Sequence, residues 1–469
     1  MAPRLGRKNS NIDFTEGPIL KSIFIFAIPT LLGDIFSALY NVVDTIVVGQ
    51  FVGSGALAAV GSTFAIHMIA AAVYAGFGMG SGVLTAQMFG AKRHDQLTAT
   101  VNTAYIGAFF IGTSMILLGE LVTVPLLKLL HTPESIMEMA TAYLRVYFLG
   151  CTGQLFYFMG SNMLRGLGDS RWPTYALVFC AVLNTLLDLL FVCVFHWNVT
   201  GAAAATVISQ LLSGIAVVIR IYNGNYGIEL KKENFKIHPD ILKKILKIGI
   251  PGCFQMMVTS VGTLIIQAFS NRFGEDLVAT NSIVQKIEQF SLLPATALGR
   301  ALQMYIGQNL GAGNQARARE GMRKTFGLIL GIGALMGVFD FALARVLCRA
   351  FVSNETVIKM GVEAIHIIAI FFVIHAAQMN LSSVLTGAGA TKSVMYVSFI
   401  GIGVRVLCCY LFGVRTGQWQ GLFWATNTFY LVCAVIYALY VWKGDWMKYV
   451  AVRPHRAAPA PKQDKVSEE

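Results

Sequence analysis

The stretch ILKSIFIFAIP at residues 19–29 is repeated as ILKKILKIGIP at residues 241–251. The similarity continues further along both halves, where AQMFGA (86–91) is echoed by GQNLGA (307–312). Two similar halves of the same polarity predict a parallel internal repeat, with a substrate path at the interface between the repeats. Differences between the halves therefore indicate where the chemistry lies.

The composition predicts a membrane protein. The chain has 469 residues, of which 55% are hydrophobic and 13% charged, whereas globular proteins carry about 25% charged residues. A bilayer span needs roughly 20 mostly apolar residues and must satisfy its backbone internally, so each span is expected to be helical. The predicted fold is an all-α integral membrane protein with twelve transmembrane helices in two six-helix lobes. The spans are 18–47, 56–88, 97–122, 133–163, 173–196, 201–223, 241–271, 277–308, 317–344, 356–385, 393–414 and 419–443.

The repeat and the spans divide the chain into five parts. We expect a cytoplasmic N-terminal segment (1–17), an N-lobe (18–223), a polar cytoplasmic linker (224–240), a C-lobe (241–446) and a disordered cytoplasmic tail (447–469).

The net charge of +12 indicates topology and does not point to nucleic acid. Most of the 36 Lys and Arg residues fall in the termini and in every second loop, such as Lys92 and Arg93 after the second span. This positive-inside pattern predicts a multi-pass protein of the inner or plasma membrane with both termini in the cytoplasm.

Sequence motifs give no sign of an enzyme. GxxxxGK[ST], HExxH and GxSxG are all absent, so neither a phosphate loop nor a hydrolase motif is visible. The eight cysteines include no CxxC pair, which makes zinc and disulfides poor candidates. Glycine-rich GFGMGSG (76–82) is better explained by close helix packing in lipid. We therefore expect no catalytic residues and no cofactor.

Ionisable groups inside the hydrocarbon are costly, at about 2.5–3.5 kcal/mol each, and so indicate function. The first span carries Asp34, Ser37, Asn41 and Asp44, which fall at i, i+3, i+7 and i+10 and form one polar stripe. Such a stripe must face the protein interior or water. Asp34, Ser37 and Asn41 are candidates for the substrate cavity, although Asp34 could equally serve as a hydrogen-bonding contact between helices.

A second polar group lies on the fifth and sixth spans. Asn184 and Asp188 are four residues apart and so share one helix face, and Thr206 adds a hydroxyl beside a run of alanines. The second half of the chain lacks this acidic group. Residues expected for folding alone would occur in both copies, so the asymmetry favours a functional role. In the alignment of the halves, Asp44 corresponds to Ile266, Asn184 to Arg405, Asp188 to Cys409 and Thr206 to Thr426.

Three motifs resemble the multidrug and toxic compound extrusion (MATE) transporters of the bacterial NorM/DinF type. They are YNVVDTIVVGQFVGSGALAAVG (40–61), LRGLGDSRWP (164–173) and IGQNLGAG (306–313). The resemblance implies twelve helices in two lobes that exchange H⁺ or Na⁺ for organic cations. Carried over by position, it also implies a site for H⁺ or Na⁺ at Asp44, Asn184, Asp188 and Thr206, and a bending proline at Pro29.

The C-lobe departs from some sodium-coupled members of this family. Those members carry further acids at the positions of Thr259 and His375 here, so we expect no coupling ion in this lobe. It carries Lys286, Arg300 and Arg405 within its spans instead, and Glu288 stands close enough in sequence to Lys286 for a structural pair.

The expected function is secondary antiport by alternating access, exporting organic cations in exchange for H⁺ or Na⁺. The expected partners are small cationic molecules and membrane lipids, and the protein is expected to be monomeric. The alternative is a flippase for lipid-linked glycans or another anionic lipid-like substrate, for which Arg300 and Arg405 would provide basic contacts.

Overall fold

The structure is a computed structural model that describes residues 11–47, 51, 54–229 and 235–452, without the side chains of residues 40–47, 54, 57 and 445. The described chain is built from fifteen α-helices. They are α1 (Ile19–Val47), α2 (Ser54–Ser62), α3 (Phe64–Gly90), α4 (His94–Leu129), α5 (Glu134–Leu149), α6 (Cys151–Gly166), α7 (Arg171–Asp188), α8 (Asn198–Asn223), α9 (Pro239–Asn271), α10 (Glu275–Gly311), α11 (Gln315–Arg349), α12 (Glu355–Ile370), α13 (Phe372–Ala388), α14 (Thr391–Cys408) and α15 (Gly421–Trp442).

Each of the twelve predicted spans is helical, and three of them contain a break that the sequence did not reveal. The second span is divided into α2 and α3, the fourth into α5 and α6, and the tenth into α12 and α13, which meet at 52°. Gly150 forms the break between α5 and α6, where a Cβ would meet the Val207 side chain of α8. Close packing at that point therefore requires glycine.

Apolar length alone identifies fewer spans than the fold contains. In the part of the chain that the structure describes, nine continuous helices are long and apolar enough to cross a membrane, and α12 with α13 forms a tenth. The helices α6 and α10 are not among them: α6 has 16 residues and is too short by itself, and α10 carries many polar side chains. Buried polar side chains such as Gln154, Asn281 and Asn309 face protein there instead of lipid.

The two halves form two lobes with the same helix pairings. In the N-lobe, α1 packs on α7, α3 on α6, and α8 on both α6 and α7. In the C-lobe, α9 packs on α14, α10 on α13, and α15 on both α13 and α14. These are the same pairs after the repeat shift, which confirms the parallel repeat predicted from the sequence.

The lobes meet closely at one end of the molecule, which we call the basic face and define by the loops 91–93 and 312–314. There α3 packs along α9 and α10 of the other lobe. A Cβ at Gly80 would overlap the backbone oxygen of Ile245, which confirms the predicted close-packing role of the glycine-rich stretch. At the helix ends, Gly90 lies against the backbone of Gln308, and Gly311 lies against the backbone of Gln87.

Two buried glutamines tie the lobes together at the basic face. Gln308 donates from Nε2 to the Gly166 oxygen of the N-lobe (2.8 Å) and accepts from the Phe14 nitrogen (2.9 Å). Gln87 donates to the Gly387 oxygen of the C-lobe (3.3 Å) and accepts from the nitrogen of residue 451 (2.9 Å). These two residues, the glutamine pair, are repeat equivalents from the AQMFGA and GQNLGA motifs. Each therefore makes the same contact with the opposite lobe.

Both terminal segments are part of this contact. Phe14 is fully buried, and Trp446, Met447 and Val452 are almost completely buried. The ordered C-lobe thus extends beyond residue 446, where the sequence placed the start of a disordered tail. Burial of Trp446 and the hydrogen bond from residue 451 to Gln87 hold this segment in place.

The motif LRGLGDSRWP fixes the linker to the N-lobe through Asp169, which is 1% exposed. Its carboxylate accepts from the backbone nitrogens of Arg171 and Trp172 at the start of α7, from Arg220 (3.1 Å) and from the Tyr226 hydroxyl (2.6 Å). Burial and the neighbouring carboxylate raise the pKa of Tyr226 far above its usual value, so the phenol remains a donor.

Among the described residues, an ion pair between two membrane-spanning helices joins the lobes. Arg300 of α10 donates to Asp34 of α1, and Arg165 of α6 lies near enough to interact electrostatically with both. Arg300 stands eleven residues before the end of α10, about 17 Å from the basic face. The pair therefore joins the lobes well above the glutamine pair.

The glycine contact gives the first prediction. Gly90→Ala and Gly311→Ala should each destabilise the closed basic face, because the added methyl overlaps backbone atoms and overpacking costs about 1–3 kcal/mol. Spin labels at the exposed positions Asp95 and Arg319, in a cysteine-free background, should report a larger separation by double electron–electron resonance. Gly331→Ala is the control, since its methyl meets nothing within 4 Å. An unchanged distance distribution in both variants would contradict this role.

The ion pair gives the second prediction. Asp34→Asn should shift the same label distances towards an open basic face, because Arg300 loses its carboxylate partner and Arg165 loses a nearby negative charge. The expected cost is about 1–3 kcal/mol, below that of a fully buried pair because Arg300 is 38% exposed. The swap Asp34→Arg with Arg300→Asp should recover part of the closed population. The control is the pair of Arg145 with Glu120, which lies within one lobe. Equal changes in label distance after breaking either ion pair would show that the inter-lobe pair has no special role.

Candidate cation-binding site

The structure brings three of the four predicted site residues together in the N-lobe. Asn184 and Asp188 lie in the last turns of α7 and are 0% and 1% exposed, and Thr206 lies opposite on α8. The Asn184 amide lies between the other two. With its oxygen accepting from the Thr206 nitrogen (3.1 Å), its nitrogen donates to Asp188 Oδ2 (2.9 Å). In the rotated orientation the amide nitrogen lies 3.3 Å from Thr206 Oγ1.

Local sequence explains this geometry. The small residues of GAAAAT at the start of α8 are largely buried and allow close approach to α7. Immediately after Asp188 the chain widens into a π-helical turn, Leu189–Val194, and a similar turn in the C-lobe, Cys409–Val414, begins at Cys409 itself. Such turns interrupt the regular backbone hydrogen bonds and are frequent at functional sites. Asp188 therefore stands at a defined irregularity of the helix.

The remaining predicted residues lie on α1, which packs against α7. The side chains of Asp44 and Asn41 lie outside the described residues, although the helix backbone there is described. Ser37 is partly exposed. Asp34 is engaged by Arg300 and stands ten residues, about 15 Å, before Asp44 along the helix.

Pro29 lies inside α1, which continues through it as one helix. Proline lacks the amide proton that would bond to the preceding turn. The Pro29 oxygen accepts from Thr174 Oγ1 of α7 at 2.7 Å, so the helix is anchored to α7 at this residue. The bending role implied by the family resemblance stays a prediction.

The N-lobe group presents oxygen donors of the kind that hard cations prefer. A carboxylate, an amide and a hydroxyl converge in a buried position, and a proton or Na⁺ would neutralise the carboxylate there. Within the described residues, no group of three His, Cys, Asp or Glu side chains that could hold a metal ion occurs.

The C-lobe counterpart has a different charge. Arg405 occupies the position of Asn184 and donates to Thr426 Oγ1 at 2.8 Å, while buried Cys409 replaces Asp188. A guanidinium thus lies against the threonine that corresponds to Thr206. This arrangement carries its own positive charge and offers no carboxylate at the position of Asp188.

A cavity of about 820 Å³ opens beside this position, and its described lining residues all belong to the C-lobe. Both Thr259 and His375 line it, as do Lys286 and Glu288. The pair suggested for Lys286 and Glu288 is not formed, because residues two apart point to different sides of a helix. Glu288 instead accepts from the Tyr430 hydroxyl (2.8 Å) and lies 3.4 Å from His375 Nδ1.

Sequence reasoning missed Tyr430. It stands four residues after Thr426, on the same face of α15, and its ring stacks on His375 with centroids 3.6 Å apart. Extending the spacing argument from Thr426 by one turn would have identified it.

Comparisons with known proteins agree with this architecture. A family model described as MatE matches residues 29–190 and again 251–411, so each half is recognised separately. The "Probable multidrug resistance protein YpnP" of Bacillus subtilis (strain 168) is 32% identical over 451 residues, covering 92% of this chain and 97% of that protein. The "Multidrug export protein MepA" of Staphylococcus aureus (strain NCTC 8325 / PS 47) is 21% identical over 436 residues, covering 92% and 95%.

Solved structures share the fold. A MOP superfamily transporter from Pyrococcus furiosus superposes with a TM-score of 0.87 at 22% identity, covering 94% of this chain and all of the other. The two-lobe helical fold, the double MatE match and the similarity over nearly the whole length lead to one conclusion: the chain belongs to the MATE family of membrane transporters.

Proposed function

We propose that this transporter exports organic cations in exchange for H⁺ or Na⁺, and that the exchanged ion binds in the N-lobe. The observation that carries the proposal is Asp188, a carboxylate 1% exposed inside a membrane lobe, in contact with Asn184. Asp44 supplies the second acid of the proposed site. An ion at that depth is costly unless it is neutralised.

The repeat supports the proposal. A carboxylate needed only for folding would be expected at the equivalent position of both lobes, yet Cys409 replaces Asp188 and Arg405 replaces Asn184. In the C-lobe a fixed guanidinium contacts the equivalent threonine, so that lobe does not require a cation from solution. We therefore assign the coupling ion to the N-lobe alone.

We propose that the basic face lies in the cytoplasm, with both termini on that side, and that the protein acts as a monomer in the plasma membrane. The excess of Lys and Arg in the loops at this face supports the orientation. While each member of the glutamine pair is hydrogen-bonded to the opposite lobe, the path between the lobes is shut towards the cytoplasm. Export then requires these contacts to break and form in each cycle.

Coupling follows if the two ligands favour different conformations. Binding of H⁺ or Na⁺ removes the charge of the N-lobe acids, and an organic cation would be held by the same acids when they are charged. The H⁺ or Na⁺ and the organic cation compete for the same negative charge. Exchange results because the transporter alternates between two conformations, each favoured by one of them.

The prediction from this proposal concerns Asp44 and Asp188. Asp44→Asn and Asp188→Asn should each lower gradient-driven ethidium transport at least tenfold, because the amide keeps the shape and loses the titrating charge. If the acids form one site, the double variant should be no worse than the worse single variant. The measurement uses proteoliposomes with an imposed pH or Na⁺ gradient at matched protein content.

The matched control is Asp340→Asn in the C-lobe. Asp340 is also buried, at 3% exposure, and accepts a hydrogen bond from Ser291 at 2.7 Å. Its variant should retain ion-driven transport within a few-fold of the wild type. Sustained gradient-driven export by either N-lobe variant would refute the proposed site.

A further inference from the structure

The C-lobe cavity has more positive than negative charge. Its titratable lining consists of Lys286, Arg405, Glu288 and His375, a net charge of at least plus one with Glu288 ionised. Glu288 is already bonded to Tyr430 and close to His375. Among the described residues, neither Lys286 nor Arg405 has a carboxylate within 4.0 Å, and Arg405 interacts with Glu288 only at longer range.

Not every hydrogen-bond donor of Arg405 has a partner among the described residues. Of its five N–H groups, one nitrogen donates to Thr426, and its Nε is buried without a hydrogen-bond partner in the described part of the chain. The guanidinium carbon lies 5.7 Å from the centre of the Phe429 ring, which supports its flat face. The edge of the guanidinium thus keeps donors suited to an oxyanion.

The rest of the lining suits an apolar body. Leu292, Met379, Phe423 and Phe429 line the same space, and a volume of about 820 Å³ can hold a drug-sized molecule. Every lining residue in the described part of the chain comes from a C-lobe helix, and Asp188 of the N-lobe is not among them.

We propose that the C-lobe cavity binds the carboxylate or phosphate group of an amphiphilic molecule through Arg405 and Lys286. The proposal goes beyond the cation exchange assigned to the N-lobe, since it gives the second lobe a ligand of opposite charge. The planar guanidinium binds the anionic oxygens in a two-pronged contact, and the ammonium adds a second positive charge. The aromatic and aliphatic lining holds the apolar part of the molecule.

The test compares dansylglycine, which has a carboxylate, with neutral dansylglycinamide. Both are titrated by fluorescence anisotropy into the full-length protein in phosphatidylcholine nanodiscs. Dansylglycine should bind at least tenfold more tightly. Arg405→Gln and Lys286→Gln should each reduce this preference, with dansylglycinamide unchanged as evidence that the cavity is intact. Arg405→Lys should restore part of it.

Two controls separate this site from the others. Arg415→Gln removes an exposed arginine that follows the π-helical turn Cys409–Val414 and does not line the cavity, and it should leave the preference unchanged. Asp188→Asn should also leave it unchanged, whatever its effect on ion-driven transport. A failure of the N-lobe proposal is thereby distinguishable from a failure of this one.

Changing the lipid composition of the nanodiscs distinguishes a lipid head group from a free organic anion as the source of the anionic group. If it is a lipid head group, adding phosphatidylglycerol to the nanodiscs should weaken dansylglycine binding in the wild type and not in Arg405→Gln. If it is a free organic anion, phosphatidylglycerol should have no effect. Equal affinity of the wild type for the two probes, absence of dansylglycine binding, or an unchanged preference in both Arg405→Gln and Lys286→Gln would overturn the proposal.

Discussion

A charge in the core of a bilayer costs about 2.5–3.5 kcal/mol on insertion scales, and this cost decides where the membrane-embedded charges of the protein lie. Asp34 and Arg300 neutralise each other across the two lobes. Glu288 is held by Tyr430 beside His375. The carboxylate of Asp188 in the N-lobe and the guanidinium of Arg405 in the C-lobe are opposite charges one helical turn apart in the repeat, since Arg405 corresponds to Asn184.

Because the lobes are repeats of one another, this difference in charge can be compared position by position. Both lobes have the same helix pairings, a π-helical turn at the end of the fifth span and the same threonine on the sixth. The glutamine pair shows how far the equivalence extends, since each glutamine uses both ends of its amide in the same way. The two lobes are otherwise so similar that two differences are the most specific evidence for different roles of the lobes. Arg405 stands at the position of Asn184, and Cys409 stands at the position of Asp188. In this account one lobe takes a cation from solution and the other carries a fixed one.

The sequence predicted the parts of the fold that depend on local pattern. Span lengths follow from bilayer thickness, and a repeated motif reveals a repeated lobe. It could not predict which lobe a motif contacts: Gln87 and Gln308 were visible in matching motifs, but their partners lie hundreds of residues away. The helix breaks at Thr63 and Phe371 likewise depend on packing. At the candidate site, spacing predicted that Asn184 and Asp188 share a face, whereas the partnership of Asp34 with Arg300 required the structure.

The most direct test of the account transfers the C-lobe arrangement into the N-lobe. In Asn184→Arg a guanidinium would stand beside Asp188 and replace the exchanged ion as its neutralising charge. The measurement is ethidium transport in proteoliposomes under an imposed pH or Na⁺ gradient, with Asn184→Gln as the control for side-chain size and polarity. The account predicts that the arginine variant inserts normally and loses its response to the gradient, while the glutamine variant keeps it. Gradient-driven export that continues in Asn184→Arg would contradict the account.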